Sequence, residues 1–156
     1  MSNNIVVFKV LDREYGVNIL QVKEVIRARK ITPVPEAPDF IDGVIMLRGR
    51  VMPLVNLRKK FGIEAKVINR KSRIIIVQLE SHVIGVIVDE VTDVLGIREE
   101  SVTAPDEVLQ EAKYLRGLVN LDKRLIILID MVKLLTQEES AGVHKVYQKV
   151  EVRRKS

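Results

Sequence analysis

The chain has 156 residues, enough for one ordinary domain or for two very small units that share a core, because isolated units of about 60 residues are only marginally stable. Hydrophobic residues make up 47% of the chain and charged residues 30%, which excludes a disordered or fibrous protein, and the lack of Cys excludes disulfides, thiolate metal sites and a cysteine nucleophile. The net charge of +5 comes mostly from the C-terminal residues, so it does not indicate a basic nucleic-acid-binding face on the body of the protein.

The chain opens with a predicted β-hairpin. Apolar runs that begin at Ile5 and end at Val17 flank polar residues at positions 12–14, which predict the turn. The next segment, ILQVKEVIR, has apolar residues at mixed spacing that fit either a strand or a short helical turn, and we predict a strand for part of it. The segment ITPVPEAP holds three prolines and predicts an extended connection, since proline lacks a backbone donor and disfavours helix in the residue before it.

A second predicted hairpin follows, with a tight turn at Arg48 and Gly49. Pro53 in its return strand requires a sheet edge, a strand start or a bulge, because it cannot donate to a central ladder. The segment NLRKKFG then predicts a short helix that Asn56 caps and Gly62 ends.

The remainder of the chain repeats these elements. The segment from Ile74 aligns with the segment from Ile5 at a shift of 69 residues, and the segment from Tyr114 aligns with the segment from Phe40 at a shift of 74 residues. The change of shift places an insertion of five residues in the second copy, between Leu95 and Tyr114. The second copy therefore predicts a hairpin with its turn at 80–82, a strand within VDEVTDVL, a hairpin within GLVNLDKRLIILID and a short helix after it.

Each copy supplies about four or five short antiparallel strands in about 65 residues, the size of a small open β-barrel whose apolar face exceeds what it can cover alone. Few aromatic residues, 4% of the chain, leave Val, Ile and Leu to fill the core, which also favours strands. We expect two subdomains, about residues 4–68 and 72–138, to pack together in one domain of residues 1–139, with strands able to cross between them.

Residues 140–156 are interpreted as a basic C-terminal tail. Five basic residues and one acidic residue between Ala141 and Ser156 give +4, which leaves +1 for the first 140 residues. The alternation of apolar and charged residues in KVYQKVEVRRKS is typical of an exposed strand, and a solvated, mobile end is expected.

Residues that could carry chemistry are few. His82 and His144 have no local spacing that would let them share a metal ion, and nothing around the serines resembles a nucleophile elbow. Asp89, Glu90 and Asp93 alternate faces in a strand and are interpreted as a solvated face. We therefore predict no enzyme activity, no catalytic residue, no metal site and no cofactor.

Nothing in the sequence predicts export or membrane insertion. No apolar run reaches the roughly 18 residues of a membrane span, and the first ten residues, MSNNIVVFKV, lack the features of a signal peptide. A cytoplasmic protein with no direct membrane insertion is predicted, so any membrane signal would reach it through a protein partner.

The segments EYGVNILQVKEVI, TPVPEAPDFIDG, VIMLRGRVMPLVNLRKKFGI and VIGVIVDEVTDVL resemble the CheW-like family of chemotaxis adaptors. That family also includes the regulatory domain of the histidine kinase CheA and the N-terminal part of CheV. The resemblance runs in order from about Val6 to Leu135, and no kinase, phosphoacceptor or receiver segment accompanies it. The chain is therefore similar to a free-standing adaptor.

The resemblance implies a mainly β fold of two SH3-like five-stranded barrels around a shared hydrophobic core, with short helices. It implies an adaptor that couples the cytoplasmic tips of transmembrane chemoreceptors to CheA, in receptor arrays at the inner membrane. The receptor-binding residues that it implies are Val22, Glu24, Val25, Ile26, Gly43 and Arg48. Contacts to the kinase regulatory domain can be placed only on loops of either barrel.

One of these positions differs between the two copies. Arg48 aligns with Asp122, and either drift on a solvated loop or a binding role in one copy would account for the change of charge. The alternative function is a small β-barrel RNA-binding or ribosome-associated protein, which would require aromatic side chains exposed for base stacking. The nearly neutral body and the core-like positions of the aromatic residues favour the adaptor.

Overall fold

The computed structural model describes residues 2–65, 67–79, 82–104 and 113–155. The strands are β1 Ser2–Val10, β2 Arg13–Asn18, β3 Val22–Arg27, β4 Ile41–Leu47, β5 Arg50–Asn56, β6 Arg73–Gln78, β7 Val83–Val88, β8 Glu90–Arg98, β9 Val102–Thr103, β10 Leu115–Leu121 and β11 Arg124–Ile129. The helices are α1 Leu57–Lys60 and α2 Gln137–Lys155, with 3-10 turns at Ile19–Gln21, Glu99–Ser101 and Met131–Lys133.

The strands form two sheets that exchange their first hairpins. Barrel 1 has the strand order β3-β6-β7-β5-β4, and barrel 2 has the order β8-β1-β2-β11-β10-β9. The hairpin β1–β2 of the first copy thus lies in the sheet of the second copy, and β6–β7 lies in the sheet of the first. In each barrel the borrowed hairpin pairs with its host on both sides. The pairing is antiparallel between β3 and β6 and between β8 and β1, and it is parallel between β5 and β7 and between β11 and β2. The predicted mainly β fold of two SH3-like barrels is confirmed.

The apolar side chains form three clusters. One cluster fills each barrel, centred on Ile74 in barrel 1 and on Ile126 in barrel 2. The largest cluster, here called the shared core, lies between the barrels and includes Phe8, Val17, Val55 and Val86. Because β-strand side chains alternate between faces, each central strand contributes both to its own barrel and to the shared core.

A row of four stacked aromatic rings crosses the shared core. Phe8 stacks on Tyr15 at 5.6 Å, Tyr15 on Phe61 at 5.2 Å, and Phe61 on Tyr114 at 5.5 Å between ring centroids. Phe8 and Tyr15 are buried, so their faces pack against protein rather than lying on a surface where RNA bases could stack.

The turns follow their sequence signals in most places. Arg48 and Gly49 have φ of 49° and 78°, and Asp122 and Lys123 have φ of 44° and 72°, as the type I′ turn of a two-residue hairpin requires. The predicted turn at Arg48 and Gly49 is confirmed. The first hairpin instead turns at residues 11–12, one residue earlier than predicted, with Leu11 at a φ of 60°.

Asparagine and aspartate side chains begin the short helical segments. The predicted cap of α1 is confirmed, since the Asn56 side chain accepts a hydrogen bond from the Lys59 backbone N–H. Asp130 accepts a bond from the Val132 N–H in the same way, but only a 3-10 turn follows it, where a short α-helix was expected.

The C-terminal residues form helix α2, so the exposed strand expected there is wrong. Thr136 and Glu139 make a reciprocal capping box, with N–H to side-chain oxygen distances of 2.9 and 3.1 Å. Val143 and Val146, 0% and 2% exposed, enter the shared core from one face of the helix. Burial of that face at Val143 and Val146 explains why this segment is helical rather than an exposed strand. Within the described ranges, no helix is both long and apolar enough to cross a membrane.

Candidate functional site

Four of the predicted receptor-binding residues lie on β3, on both of its faces. A bulge between Val22 and Glu24 sets Val22 opposite Val77, a shared-core residue, so Val22 packs against that core. Ile26 packs inside barrel 1. Val25 is on the outer face and 37% exposed. The strand therefore offers apolar surface to solvent at Val25 and directs Glu24 towards the mouth of barrel 1.

Glu24 and Arg48 form a two-bond ion pair. The two terminal guanidinium nitrogens of Arg48 donate to the two carboxylate oxygens of Glu24 at 2.6 and 2.7 Å. The bonds from Arg48 lower the pKa of Glu24 below its ordinary value, and the same bonds raise the pKa of Arg48. The pair fastens the β4–β5 turn to β3 while 69% of the Arg48 side chain stays exposed. Sequence reasoning selected both residues but not their contact.

Gly43 is buried beneath the chain segment that precedes β4. Its φ is 148°, and a Cβ placed there would lie 2.3 Å from the Thr32 carbonyl oxygen. Thr32 pairs with Val44 through two backbone hydrogen bonds of 2.8 and 2.9 Å, which require this close approach. Gly117, the aligned residue in the second copy, permits the same approach by Thr103. Gly43 thus has a backbone role, and its receptor contact stays a prediction.

A cleft of about 630 Å³ opens at the mouth of barrel 1 beside the Glu24–Arg48 pair. Its lining combines charged side chains with buried apolar side chains such as Met52 and Ile76. The lining residues are Lys23, Glu24, Leu47, Arg48, Arg50, Val51, Met52, Ile76, Gln78, His82, Val83 and Tyr147. These residues define the barrel-1 cleft.

Helix α2 supplies one wall of the barrel-1 cleft. His144 on the helix and His82 at the start of the β6–β7 return strand have ring nitrogens 2.9 Å apart, joined by a hydrogen bond. Tyr147 stacks on His82 at 4.5 Å, and its hydroxyl donates to the Val83 carbonyl. Burial lowers the pKa of His82 below its ordinary value, and the charge of His144 acts in the same direction.

The local sequence around His82 and His144 gave no indication that they meet, but in the structure their rings are in contact. Their contact depends on α2, whose capping box at Thr136 and Glu139 was the sequence signal that could have revealed it. In the part of the chain that the structure describes, no group of three His, Cys, Asp or Glu side chains is arranged to hold a metal ion.

The mouth of barrel 2 is crossed by an ion-pair cluster. Arg124 donates to Glu14 at 2.6 and 3.1 Å and to Asp93 at 2.9 Å. The hydrogen bonds from Arg124 lower the pKa of Glu14. The pKa of Asp93 is also lowered, mainly by a hydrogen bond with Thr92 and next by the bond from Arg124. The cluster joins β2, β8 and β11.

Asp89 and Asp93 of the second copy both form ion pairs with arginines. Asp93 binds Arg124. Asp89 accepts two hydrogen bonds from Arg58, at 2.5 and 2.8 Å, and the side chains of Asp89 and Arg58 are only 15% and 12% exposed. The interpretation of these carboxylates as a solvated face is therefore wrong for Asp89 and Asp93. The reason is tertiary, because both arginines come from distant segments of the chain.

The two β-barrels share a core, and a cleft lined by charged and apolar side chains opens beside strand β3. A family model described as CheW-like domain matches residues 4–139. The chain belongs to the CheW-like domain family.

Curated relatives and a solved structure agree with this assignment. The chain is 35% identical to the chemotaxis protein CheW of Klebsiella aerogenes over 148 residues, which cover 94% of the chain and 89% of the relative. It is 35% identical to the chemotaxis protein CheW of Bacillus subtilis, with coverage of 89% and 90%. The crystal structure of scaffolding protein TtCheW from Thermoanaerobacter tengcongensis superimposes with a TM-score of 0.81 at 37% identity and covers 89% of this chain and 91% of that one. The protein is thus a chemotaxis adaptor of the scaffold type.

Proposed function

We propose that the protein couples the cytoplasmic tips of transmembrane chemoreceptors to the regulatory domain of the histidine kinase CheA, in cytoplasmic arrays at the inner membrane. The observation that carries the proposal is the match of both barrels, over 89% of the chain, to a scaffolding protein of chemotaxis. A scaffold of this kind acts by binding alone, so its surfaces rather than a reactive group perform the function.

The receptor surface that we propose consists of the outer face of β3 and the β4–β5 turn. Receptor tips would supply helices, and a helix docks by placing apolar side chains in a groove while a charged residue at the rim sets its register. Val25 on the outer face of β3 and Val22 at the edge of the shared core provide the apolar contacts. Arg48 provides the charged rim, because holding Glu24 uses only two of its five N–H donors and most of its side chain is exposed.

Reversing the charge at Arg48 tests this surface. In the Arg48→Glu variant two carboxylates would face each other and the guanidinium donors would be lost, so we expect the affinity for a receptor-tip fragment to fall by about tenfold or more. The measurement is calorimetric titration of the full chain, with circular dichroism as the fold control. Arg70→Glu is the matched charge change, because Arg70 is exposed in the connection between α1 and β6. Equal affinities in both variants and the wild type would contradict the proposal.

Recovery of partners from cell extract tests the wider function. We expect the full chain to recover a chemoreceptor and a histidine kinase at moderate salt. Recovery of RNA alone, lost as salt increases, would instead support the RNA-binding alternative, since phosphate contacts weaken steeply with ionic strength.

A further inference from the structure

The two barrels place an arginine at the same point but give it different surroundings. Arg50 and Arg124 each begin the strand after a type I′ turn, and they occupy aligned positions of the two copies. Arg124 binds the carboxylates of Glu14 and Asp93. The side chain of Arg50 lines the barrel-1 cleft and has no hydrogen-bond or ion-pair partner among the described residues.

The register of the strands explains the difference. Glu14 is paired with Lys9 in barrel 2, and the aligned pair in barrel 1 is Val83 with Gln78, so barrel 1 has an apolar side chain where barrel 2 has a carboxylate. Glu24 is aligned with Asp93, but its two oxygens are already held by Arg48. In barrel 1 one of the two carboxylates is therefore replaced by a valine, and the other is bound to Arg48 instead of Arg50.

The barrel-1 cleft consequently has an unbalanced positive charge. Glu24 and Arg48 neutralise each other, whereas Lys23 and Arg50 have no carboxylate partner within the part of the chain that the structure describes. Lys23 makes one long bond of 3.4 Å, to the Gln78 amide oxygen. Two cations thus flank an apolar floor formed by side chains such as Met52 and Val83, which a fully solvated anion would not fill.

We propose that the barrel-1 cleft binds an acidic side chain carried on an apolar segment of a partner protein, and that Arg50 holds the incoming carboxylate as Arg124 holds Glu14. Barrel 2 of the same chain indicates the chemistry of the ligand. There Arg124 binds the carboxylate of Glu14, a residue near the start of strand β2. Lys23 adds a second positive charge at the rim, and the floor receives the apolar neighbours of the acidic residue. The cleft shares Glu24 and Arg48 with the proposed receptor surface, but this inference goes beyond that surface because it concerns Lys23 and Arg50, which have no carboxylate partner among the described residues.

Titration of the full chain with two synthetic peptides tests the proposal. One peptide is a short helix of Leu, Ala and Glu, and the other has Gln at every Glu position. We expect the Glu peptide to bind, to shift the amide resonances of Arg50 and Val83, and to bind about tenfold more weakly to Arg50→Gln, because a charge-assisted bond is lost. Arg70→Gln should bind like the wild type. Equal binding of both peptides, no binding of the Glu peptide, or resonance shifts confined to other surfaces would overturn the proposal.

A second variant fills the cleft from within. Val83→Glu places a carboxylate where barrel 2 has Glu14, so we expect it to bind Arg50 internally and to abolish binding of the Glu peptide, whereas Val83→Gln should retain most of it. Thermal unfolding of both variants controls for the fold. Unchanged binding by Val83→Glu, or displacement of the peptide by an equal concentration of succinate, would overturn the assignment to a protein segment. No receptor enters these titrations, so their failure is distinguishable from failure of the receptor-fragment measurement with Arg48→Glu.

Discussion

Barrel 1 and barrel 2 share their strand order but differ at their mouths. In barrel 2 the arginine after the tight turn closes the mouth by binding carboxylates from two other strands, while in barrel 1 the aligned arginine faces an open cleft. The glycines that the fold needs are equivalent, as Gly43 and Gly117 show. The comparison teaches that backbone requirements are preserved in both copies, whereas the aligned arginine is held by carboxylates in barrel 2 and lines an open cleft in barrel 1.

Helix α2 adds to the asymmetry. It packs on the shared core and also lines the barrel-1 cleft through Tyr147, which stacks on His82. The residue of barrel 2 aligned with His82 is Arg13, at the start of β2 and exposed. The open mouth therefore owes part of its shape to a segment that lies outside the duplicated unit.

The largest expected effect comes from removing a side chain that both barrels use. Phe8 is fully buried in the shared core and stacks on Tyr15, so Phe8→Ala should lower the free energy of unfolding by about 3–5 kcal/mol through lost burial and an unfilled cavity. Chemical denaturation followed by far-ultraviolet circular dichroism measures it, with Phe8→Leu as the milder control. Amide resonances of the two barrels should disappear in one transition, and separate transitions would contradict a common core.

A smaller effect should distinguish the two equivalent glycines. Gly43→Ala adds a methyl group against a backbone carbonyl at a φ that only glycine adopts readily, so we expect a loss of about 3 kcal/mol. Gly117→Ala meets a side-chain methyl of Val102 and the Thr103 carbonyl at 2.7 and 2.8 Å, and without the unfavourable φ it should lose less. Gly49→Ala, which has open space around it, should lose about 1 kcal/mol from its φ alone. Denaturation of the three variants would refute this order if Gly49→Ala were the most destabilised.

The smallest effect concerns the ion pairs and appears on acidification. The folded-state pKa of Glu14 is held below its ordinary value of 4.5, so this carboxylate stabilises the fold above about pH 4.5 and loses its contribution as the pH falls through the lowered pKa. Arg124→Gln should remove part of that acid sensitivity between neutral pH and pH 3. Arg48→Gln should remove less, because its pair is more exposed and involves one carboxylate. Urea denaturation across this pH range checks the order, and a larger change for Arg48→Gln would reverse it.

The parts of the fold that local chemistry determines could be predicted from the sequence. The β-hairpin turn at Arg48 and Gly49 and the cap at Asn56 each depend on a few adjacent residues, and the repeat indicated two barrels. The exchange of hairpins could not be deduced in the same way, since both copies present equivalent apolar strands. Helix α2 was missed because the alternation in KVYQKVEV competed with the spacing of Val143 and Val146.

The sequence could predict which residues belong to the candidate site, but not which of them contact each other. Strand and turn residues such as Glu24 and Arg48 could be named from the family resemblance, but the contact between them requires the bulge in β3 and the register of barrel 1. The pairing of Arg124 with Glu14 joins residues 110 positions apart, and that of His82 with His144 joins residues 62 positions apart. Such contacts follow from topology rather than from local spacing.

The most direct test of the adaptor assignment compares the two copies during receptor binding. A receptor-tip fragment is titrated into the full chain, and the amide resonances of both barrels are followed. We expect shifts at Glu24, Val25 and Arg48 in the first copy, with those of the aligned Asp93, Val94 and Asp122 unchanged. Shifts at the second set alone, or at neither set, would contradict the proposed receptor surface.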